Sequence, residues 1–514
     1  MNTIELSLFA HRIAALCDEM GAVLRRAAFS PNIRDRLDFS CAVFDAEGGL
    51  CGQAAHIPVH LGSMAYAMRD IVGRLQWAPG DMAVFNDPFL GGTHLPDVTV
   101  VAPVFHDGRC AAFVANRAHH ADIGGKTPGS MPIARRLEEE GVVIPPTILV
   151  RDGRLDEGML RSMLEGTCSP ERVHGDFAAQ VSANRTGAER LASLIGRLGG
   201  VSAFTAAVHA LNDYAERLAW SGLATIPRGR YAFEDLMDDD GLGRLDLPVR
   251  VCIDVRSDGI EVDFSGTAAQ VEGNINCPLP VTAAAVLYAF RCLMPSETPA
   301  CAGAFRGVRL RAPEGSLVNA CRPAAVAAGN VETSSRIVDA VLGALAQALP
   351  DRIPAASQGT MNNLAMGARL TNGAWDYYET IAGGTGAHAH GPGLSGVQSH
   401  MTNTLNTPIE VLEANFPVRV RRYALRDGSG GAGLHRGGDG LVRAFEFLGP
   451  AEVTLLTERR RHAPWGLAGG ESGAPGRNLL NGEALPGKVA CRVAAGDVLT
   501  IETPGGGGWG RAVK

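Results

Sequence analysis

At 514 residues the chain exceeds what one hydrophobic core usually organises, so two or three structural units are expected. Its 46% hydrophobic and 20% charged residues exclude both wholesale disorder and a fibrous chain. The net charge of -7 comes without a long like-charge block, no stretch reaches the ~18 unbroken apolar residues of a membrane span, and the 11 cysteines lack any Cys-x-x-Cys spacing. Nucleic acid, membrane and disulfide framework are therefore not expected, and a reduced, cytoplasmic setting is.

Phe9, Ile13, Leu16, Cys17, Met20, Val23 and Leu24 recur at the spacing of one buried face and predict a helix over 4–27. Alternation at Phe39, Cys41 and Val43 before a turn at 45–49 predicts a hairpin; 62–76 reads as a helix and 82–85 as a short buried strand. The apolar runs 98–105 and 110–115, joined through His106-Asp107-Gly108-Arg109, predict a second hairpin. With Asp107-Gly108 as its turn, Asp97 faces Ala118 and Pro96 faces His119. Two helices over 175–197 and 201–222 break at Gly199-Gly200. Strands follow in 229–264, including a hairpin at 257–259, then helices at 280–293 and 333–348. From about 361 the chain is turn-rich and β-like. The fold class is α+β, with mixed and antiparallel sheets divided among units at 1–225, 226–360 and 361–514. The 64 glycines cluster in loops and predict tight turns and close backbone approaches.

Three familiar motifs fail on inspection. Gly125-Lys126-Thr127 resembles the end of a phosphate-binding loop, but His120 stands where its first glycine belongs. Residues 428–433 spell the dinucleotide fingerprint, yet the glycines at 437, 438 and 440 leave nothing to open a helix. No Gly-x-Ser-x-Gly elbow exists for a serine hydrolase.

The chemistry concentrates in 86–97 and 116–125, which offer His94, Asp97, His119, His120 and Asp122, with Asp87 nearby. Nitrogen and oxygen donors of this kind suit zinc, manganese or iron. His94 and Asp97 precede the first strand of the hairpin and His119 ends its second, so pairing brings them together. Strict alternation would put Asp97 and His119 on opposite faces, so both can ligate only if a bulge or a longer turn shifts the register. A set of polar groups this dense beside buried strands would be costly without a shared purpose.

These segments, together with Arg34-Asp35-Arg36-Leu37-Asp38-Phe39-Ser40-Cys41, resemble the signatures of the hydantoinase B/oxoprolinase family. So do 263–267, 329–333, 401–404, 406–410 and 437–441. The resemblance implies a B-type subunit of a hetero-oligomer, working with an actin-like A subunit that binds ATP-Mg, the pair opening hydantoins, 5-oxoproline or related cyclic amides. It implies Asp38, His94, Asp97 and His119 as ligands of a divalent metal. A metal-bound water would then attack a lactam activated by phosphorylation in the partner, with His120 and Asp122 positioning substrate or moving protons. Asp38, a lone acid before a strand, could equally be an exposed cap. His388 and Glu410 are candidate substrate contacts; His388 and its neighbour His390 equally suit solvent-facing loop positions, and Glu410 with Glu413 an ordinary solvated helix face. Glu332 is explained by capping a helix start. Two further readings remain, a subunit of an ATP-dependent ketone carboxylase using bicarbonate, which chain length disfavours, and a scaffold subunit without catalysis.

Overall fold

The computed structural model describes residues 2–54, 57–370 and 373–512. Seven strands form the first sheet: β1 (Phe39–Asp45), β2 (Leu50–Gln53), β3 (Met82–Phe85), β4 (Asp97–His106), β5 (Arg109–His119), β6 (Thr147–Arg151) and β7 (Arg154–Leu155). Their order is β2-β1-β5-β4-β3-β6-β7. Both central strands are buried on both faces, because helices cover each side. Val98, Val100, Val104 and Val114 join the core that holds Phe177 of α5 (Pro170–Leu198) and Met20 of α1 (Thr3–Ala27). Val101, Phe113 and Ala115 face the other way, against Met64, Met68 and Ile71 of α3 (Pro58–Arg74). α2 (Pro31–Arg34) and α4 (Glu157–Leu164) are short connectors, and α5 meets α6 (Val201–Leu223) at a 96° bend across Gly199-Gly200. Among the described residues no single helix is long and apolar enough to cross a membrane.

A second sheet contains β8 (Gly229–Asp239), β9 (Leu245–Val255), β10 (Ile260–Asp263) and β11 (Val308–Arg311), in the order β11-β10-β9-β8. The alternating burial of β9 marks a sheet with one covered face. That cover includes α8 (Ser334–Ala346), buried along its whole length, which packs beside α7 (Leu279–Arg291). A π-helical turn, Gly329–Thr333, leads into α8.

The remainder carries α9 (Ile409–Asn415) and nine strands: β12 (Asn363–Leu370), β13 (Gly373–Glu379), β14 (Val418–Arg426), β15 (Gly440–Phe447), β16 (Ala451–Leu456), β17 (Arg477–Leu480), β18 (Glu483–Leu485), β19 (Lys488–Val493) and β20 (Val498–Glu502). They form two sheets, β13-β12-β16-β19 and β14-β15-β20-β17-β18. Leu364, Tyr377 and Val453 of one share a core with Phe445, Leu499 and Ile501 of the other. The C-terminal glycines pack backbone against backbone. Gly506 N donates to Gly438 O at 2.9 Å and Gly431 N donates to Gly506 O at 2.8 Å. A Cβ on Gly506 would stand 1.9 Å from Thr385 O. The dinucleotide-like spelling at 428–433 therefore reflects close packing of extended strands of backbone.

Candidate functional site

Register decides what meets at the mouth of the β4–β5 hairpin. Asp107 and Gly108 adopt left-handed backbone angles, 49° and 73° in φ, which makes the connection the tight turn expected from its residues. Near the turn His106 pairs with Arg109 and Phe105 with Cys110; past a bulge that leaves Ala111 unpaired, Val104 pairs with Ala112 and the shift persists to the open end. Asp97 therefore pairs with His119 rather than with Ala118, and their side chains share a face. The bulge supplies the register shift that joint ligation requires.

Alternation assigns the neighbouring side chains. On the α3 face lie Thr99, Arg117 and Ser40 together with Asp97 and His119; Arg117 donates to Thr99 Oγ1 at 2.8 Å, to Ser63 Oγ at 2.7 Å and to Gly91 O at 3.0 Å. On the α5 face, Asn116 donates to Asn184 Oδ1 at 2.8 Å, and His120 Nε2 lies 2.9 Å from Gln180 Oε1 with its ring against Phe177. His120 thus points away from Asp97. Asp122 also turns aside: Oδ1 accepts from Ser130 Oγ and Gly124 N, both at 2.8 Å, and Oδ2 from Cys168 N at 2.7 Å.

Asp97 is the hub of the remaining cluster. Its Oδ1 lies 3.2 Å from His94 Nε2 and 3.1 Å from His119 Nδ1. Its Oδ2 accepts from Thr93 Oγ1 at 2.6 Å and lies 3.3 Å from His60 Nε2 and 3.4 Å from Asn330 Nδ2. His94, Asp97 and His119 each offer a ligating atom within 4.8 Å of the others. Asp38 lines the same small cavity of about 20 Å³, with Tyr378, Met361, Met401 and Thr404 among its walls. It is a buried residue, not an exposed cap. The Asp38 carbonyl also accepts the His119 amide at 3.0 Å, continuing the β1–β5 ladder into the site.

Burial would raise the Asp97 carboxyl, but His94 and His60 and the hydrogen bonds from His119 and His60 hold it well below the usual carboxylate range. Burial pushes the His119 imidazole down, against the pull of Asp97. A neutral His119 that donates from Nδ1 to Asp97 leaves a lone pair on Nε2. That atom and both ring nitrogens of His94 are buried without a hydrogen-bond partner. Unsatisfied imidazole nitrogens around one carboxylate, in a space of ionic size, fit a borderline divalent cation bound by nitrogen and oxygen.

Distant segments complete the walls. Tyr378 of β13 stacks on His119 with ring centroids 4.6 Å apart and planes 17° from parallel. The fully buried Arg36 holds that tyrosine, donating to Tyr378 O at 2.9 Å and to Thr380 Oγ1 at 3.0 Å, with its guanidinium 5.1 Å from the ring centre. His60 is fixed from behind by Ser40 Oγ, 3.0 Å from Nδ1. Sequence reasoning missed His60 because its helix was expected to begin at 62, whereas α3 starts at Pro58. Placing Pro58 at the first helical position would have brought His60 onto the helix.

The other candidates lie apart. His388 is half-buried and His390 exposed, the His390 amide donating to His388 Nδ1 at 3.2 Å, and Glu410 is exposed in the first turn of α9. None of the three lines the Asp97 cavity. Glu332 caps no free helix end: it is buried in the π-helical turn, where Oε1 accepts from Met361 N at 3.0 Å and Asn363 Nδ2 at 2.6 Å.

The architecture and the site thus define an α+β protein with a buried histidine–aspartate centre at the open end of a hairpin. The hydantoinase B/oxoprolinase family profile matches residues 2–512, and the chain belongs to that family. It is 39% identical to an uncharacterized protein of Methanocaldococcus jannaschii over 99% of this chain and 91% of that one. It is 41% identical to 5-oxoprolinase 1 of Arabidopsis thaliana over 99% of this chain, spanning 42% of the plant protein's length. Among solved structures, the ATP-dependent caprolactamase from Pseudomonas jessenii superposes with a TM-score of 0.93 at 27% identity, covering 99% of this chain and 91% of that one. A nucleotide-free acetone carboxylase shares the fold at 18% identity, with a TM-score of 0.88 over 99% of this chain and 75% of that one.

Proposed function

We propose that this chain is the B-type subunit of an ATP-dependent cyclic-amide hydrolase, in which His94, Asp97 and His119, with Asp38 at the cavity wall, hold a divalent metal. The observation that carries the reading is the convergence of partnerless imidazole nitrogens on Asp97 within the 20 Å³ cavity. Membership of the family supports the substrate class, as does the likeness to a caprolactamase. When bound, such a metal supplies Lewis acidity and lowers the pKa of water towards about 7.

The chain's own groups orient and exclude. Thr93, His60 and Asn330 fix the second carboxylate oxygen of Asp97, and Tyr378 presses His119 into place while Met361 and Met401 keep bulk water out. The cavity has room for an ion or a water and none for a lactam ring. Admission of substrate therefore requires part of the cavity wall to move. An unactivated amide is a poor electrophile, and no nucleotide motif survives inspection here. Activation by ATP falls to an actin-like A-type partner, with which this chain forms a hetero-oligomer.

The deciding assay reconstitutes the chain with its A-type partner and supplies ATP with 5-oxoproline, hydantoin, caprolactam, or a ketone plus bicarbonate. Ring opening that needs ATP, and that His94→Ala abolishes, is expected. Turnover of the ketone alone would replace the reading with a carboxylase. Turnover of none would leave a scaffold.

A further inference from the structure

Three residues beyond His119 the chain enters a second cluster with different chemistry. Asp122, Cys168 and Asp376 come from the loop after β5, the segment before α5 and the middle of β13. They offer ligating atoms within 4.8 Å of one another. Asp122 is fully buried and oriented by its donors Ser130 Oγ, Gly124 N and Cys168 N. Asp376 is 2% exposed, and its Oδ1 has no hydrogen-bond partner. A lone buried carboxylate oxygen facing a second carboxylate is expensive unless a cation or a proton is shared between them. Two guanidinium groups act on Asp376: Arg172, the stronger influence, has a buried Nη1 without a hydrogen-bond partner, and Arg369 places Nε 3.2 Å from Cys168 Sγ and Nη2 2.9 Å from Gly125 O, so neither satisfies Asp376 Oδ1.

We propose that Asp122, Cys168 and Asp376 form a second divalent-cation site, separate from the His94–Asp97–His119 cluster and suited to zinc. A thiolate beside two carboxylates favours a borderline-soft ion over magnesium or calcium. Cys168 is half-buried, which gives the ion a way in and leaves a coordination position for water. As the metal–ligand bonds form, the thiol proton leaves to solvent, together with any proton held by Asp376, and no electrons change hands.

The position gives the site a purpose. Alternation along β13 puts Asp376 on the same face as Tyr378, the residue stacked on His119. An ion bridging Asp376 to Asp122 would tie β13 to the loop that follows His119 at the end of β5, and so brace the first cluster from outside. The inference stands whether or not the chain opens cyclic amides.

The test is cobalt titration of the chelator-stripped full chain, followed by absorbance. The Asp97 cluster contains no thiol, so a sulfur-to-cobalt charge-transfer band reports the second site alone. Two equivalents of Co²⁺ and that band are expected in the wild type. Cys168→Ser should bind one equivalent without the band; His94→Ala combined with His119→Ala should bind one equivalent and keep it. Asp376→Asn should keep the band while weakening the cobalt affinity that produces it by about tenfold or more, as loss of a coordinating or supporting carboxylate does. Absence of the band in the wild type, or its persistence in Cys168→Ser, would overturn the proposal.

Discussion

Replacing Asp97 by Asn tests the centre of the site with the smallest change of shape. Both carboxylate oxygens are in use, Oδ1 towards His94 and His119 and Oδ2 towards Thr93, His60 and Asn330. An amide presents one oxygen and one NH₂ group, so in either orientation a donor meets donors. Turned towards Oδ2, the NH₂ meets Asn330 Nδ2, a donor, unless that amide, whose Oδ1 has no other partner, flips. Turned towards Oδ1, it opposes the Nδ1–H of His119. Each charge-assisted hydrogen bond is worth about 1.5–3 kcal/mol, and at 1% exposure no water replaces what is lost. Loss of one or two such contacts predicts about 3 kcal/mol of destabilisation in the metal-free protein. The assay is urea unfolding in the presence of chelator, which separates this term from any contribution of bound metal, followed by metal titration of the folded variant. The midpoint should fall with the slope unchanged, and metal affinity should drop by about a hundredfold or more, beyond the cost of losing a mere orienting partner. A variant that unfolds within about 0.5 kcal/mol of wild type and still binds metal normally would refute the assignment of Asp97 as the hub.

Glu140 gives a pH-dependent counterpart. Burial pushes its carboxyl up to about 8, although Oε1 accepts from the amides of Val326 and Ala327, both at 2.9 Å. The native state therefore keeps a proton that the unfolded chain has released. This contribution to stability is fully present below about pH 4 and is lost as pH rises towards 8, at about 1.4 kcal/mol per unit. Glu140→Gln, which keeps the acceptor and removes the titration, should flatten the unfolding free energy between pH 5 and 8; an unchanged slope would dismiss the assignment. In the glycine-packed region, Gly506→Ala should cost several kcal/mol or prevent folding, since its Cβ would stand 1.9 Å from Thr385 O. Gly449→Ala, with nothing within 4 Å, should stay within about 0.5 kcal/mol of wild type by thermal unfolding. Deleting Ala111 removes the unpaired residue while Val104 stays opposite Ala112, so Asp97 stays opposite His119 in a regular ladder. Metal binding at the Asp97 cluster should then be kept, and its loss would show that the bulge shapes the site beyond setting the register.

The helices and strands that carry the site were legible because burial writes a period into the chain. The apolar spacing from Phe9 to Leu24 marks α1, and the apolar runs about Asp107-Gly108 mark the β4–β5 hairpin. Even a register shift, by a bulge or a longer turn, follows from the sequence as the condition for Asp97 and His119 to share a face, though nothing in the sequence chooses the bulge or places it at Ala111. The same alternation implies that His119 and His120 point oppositely, as they do, towards α3 and α5.

What only the tertiary structure decided was which remote residues close the cavity. His60 reaches Asp97 from α3, Asn330 from a π-helical turn and Tyr378 from β13, while Arg36 holds that tyrosine in place. Periodicity reports which face of an element is buried and says nothing about which other element covers it. Hydrogen-bond hubs such as Asp97 collect partners across more than two hundred positions of sequence, and that convergence is created by packing alone. The glycine runs teach the converse. Their spelling imitates a nucleotide loop, but a local pattern cannot tell a backbone that approaches a phosphate from one that approaches another backbone, since both demand only the absence of Cβ.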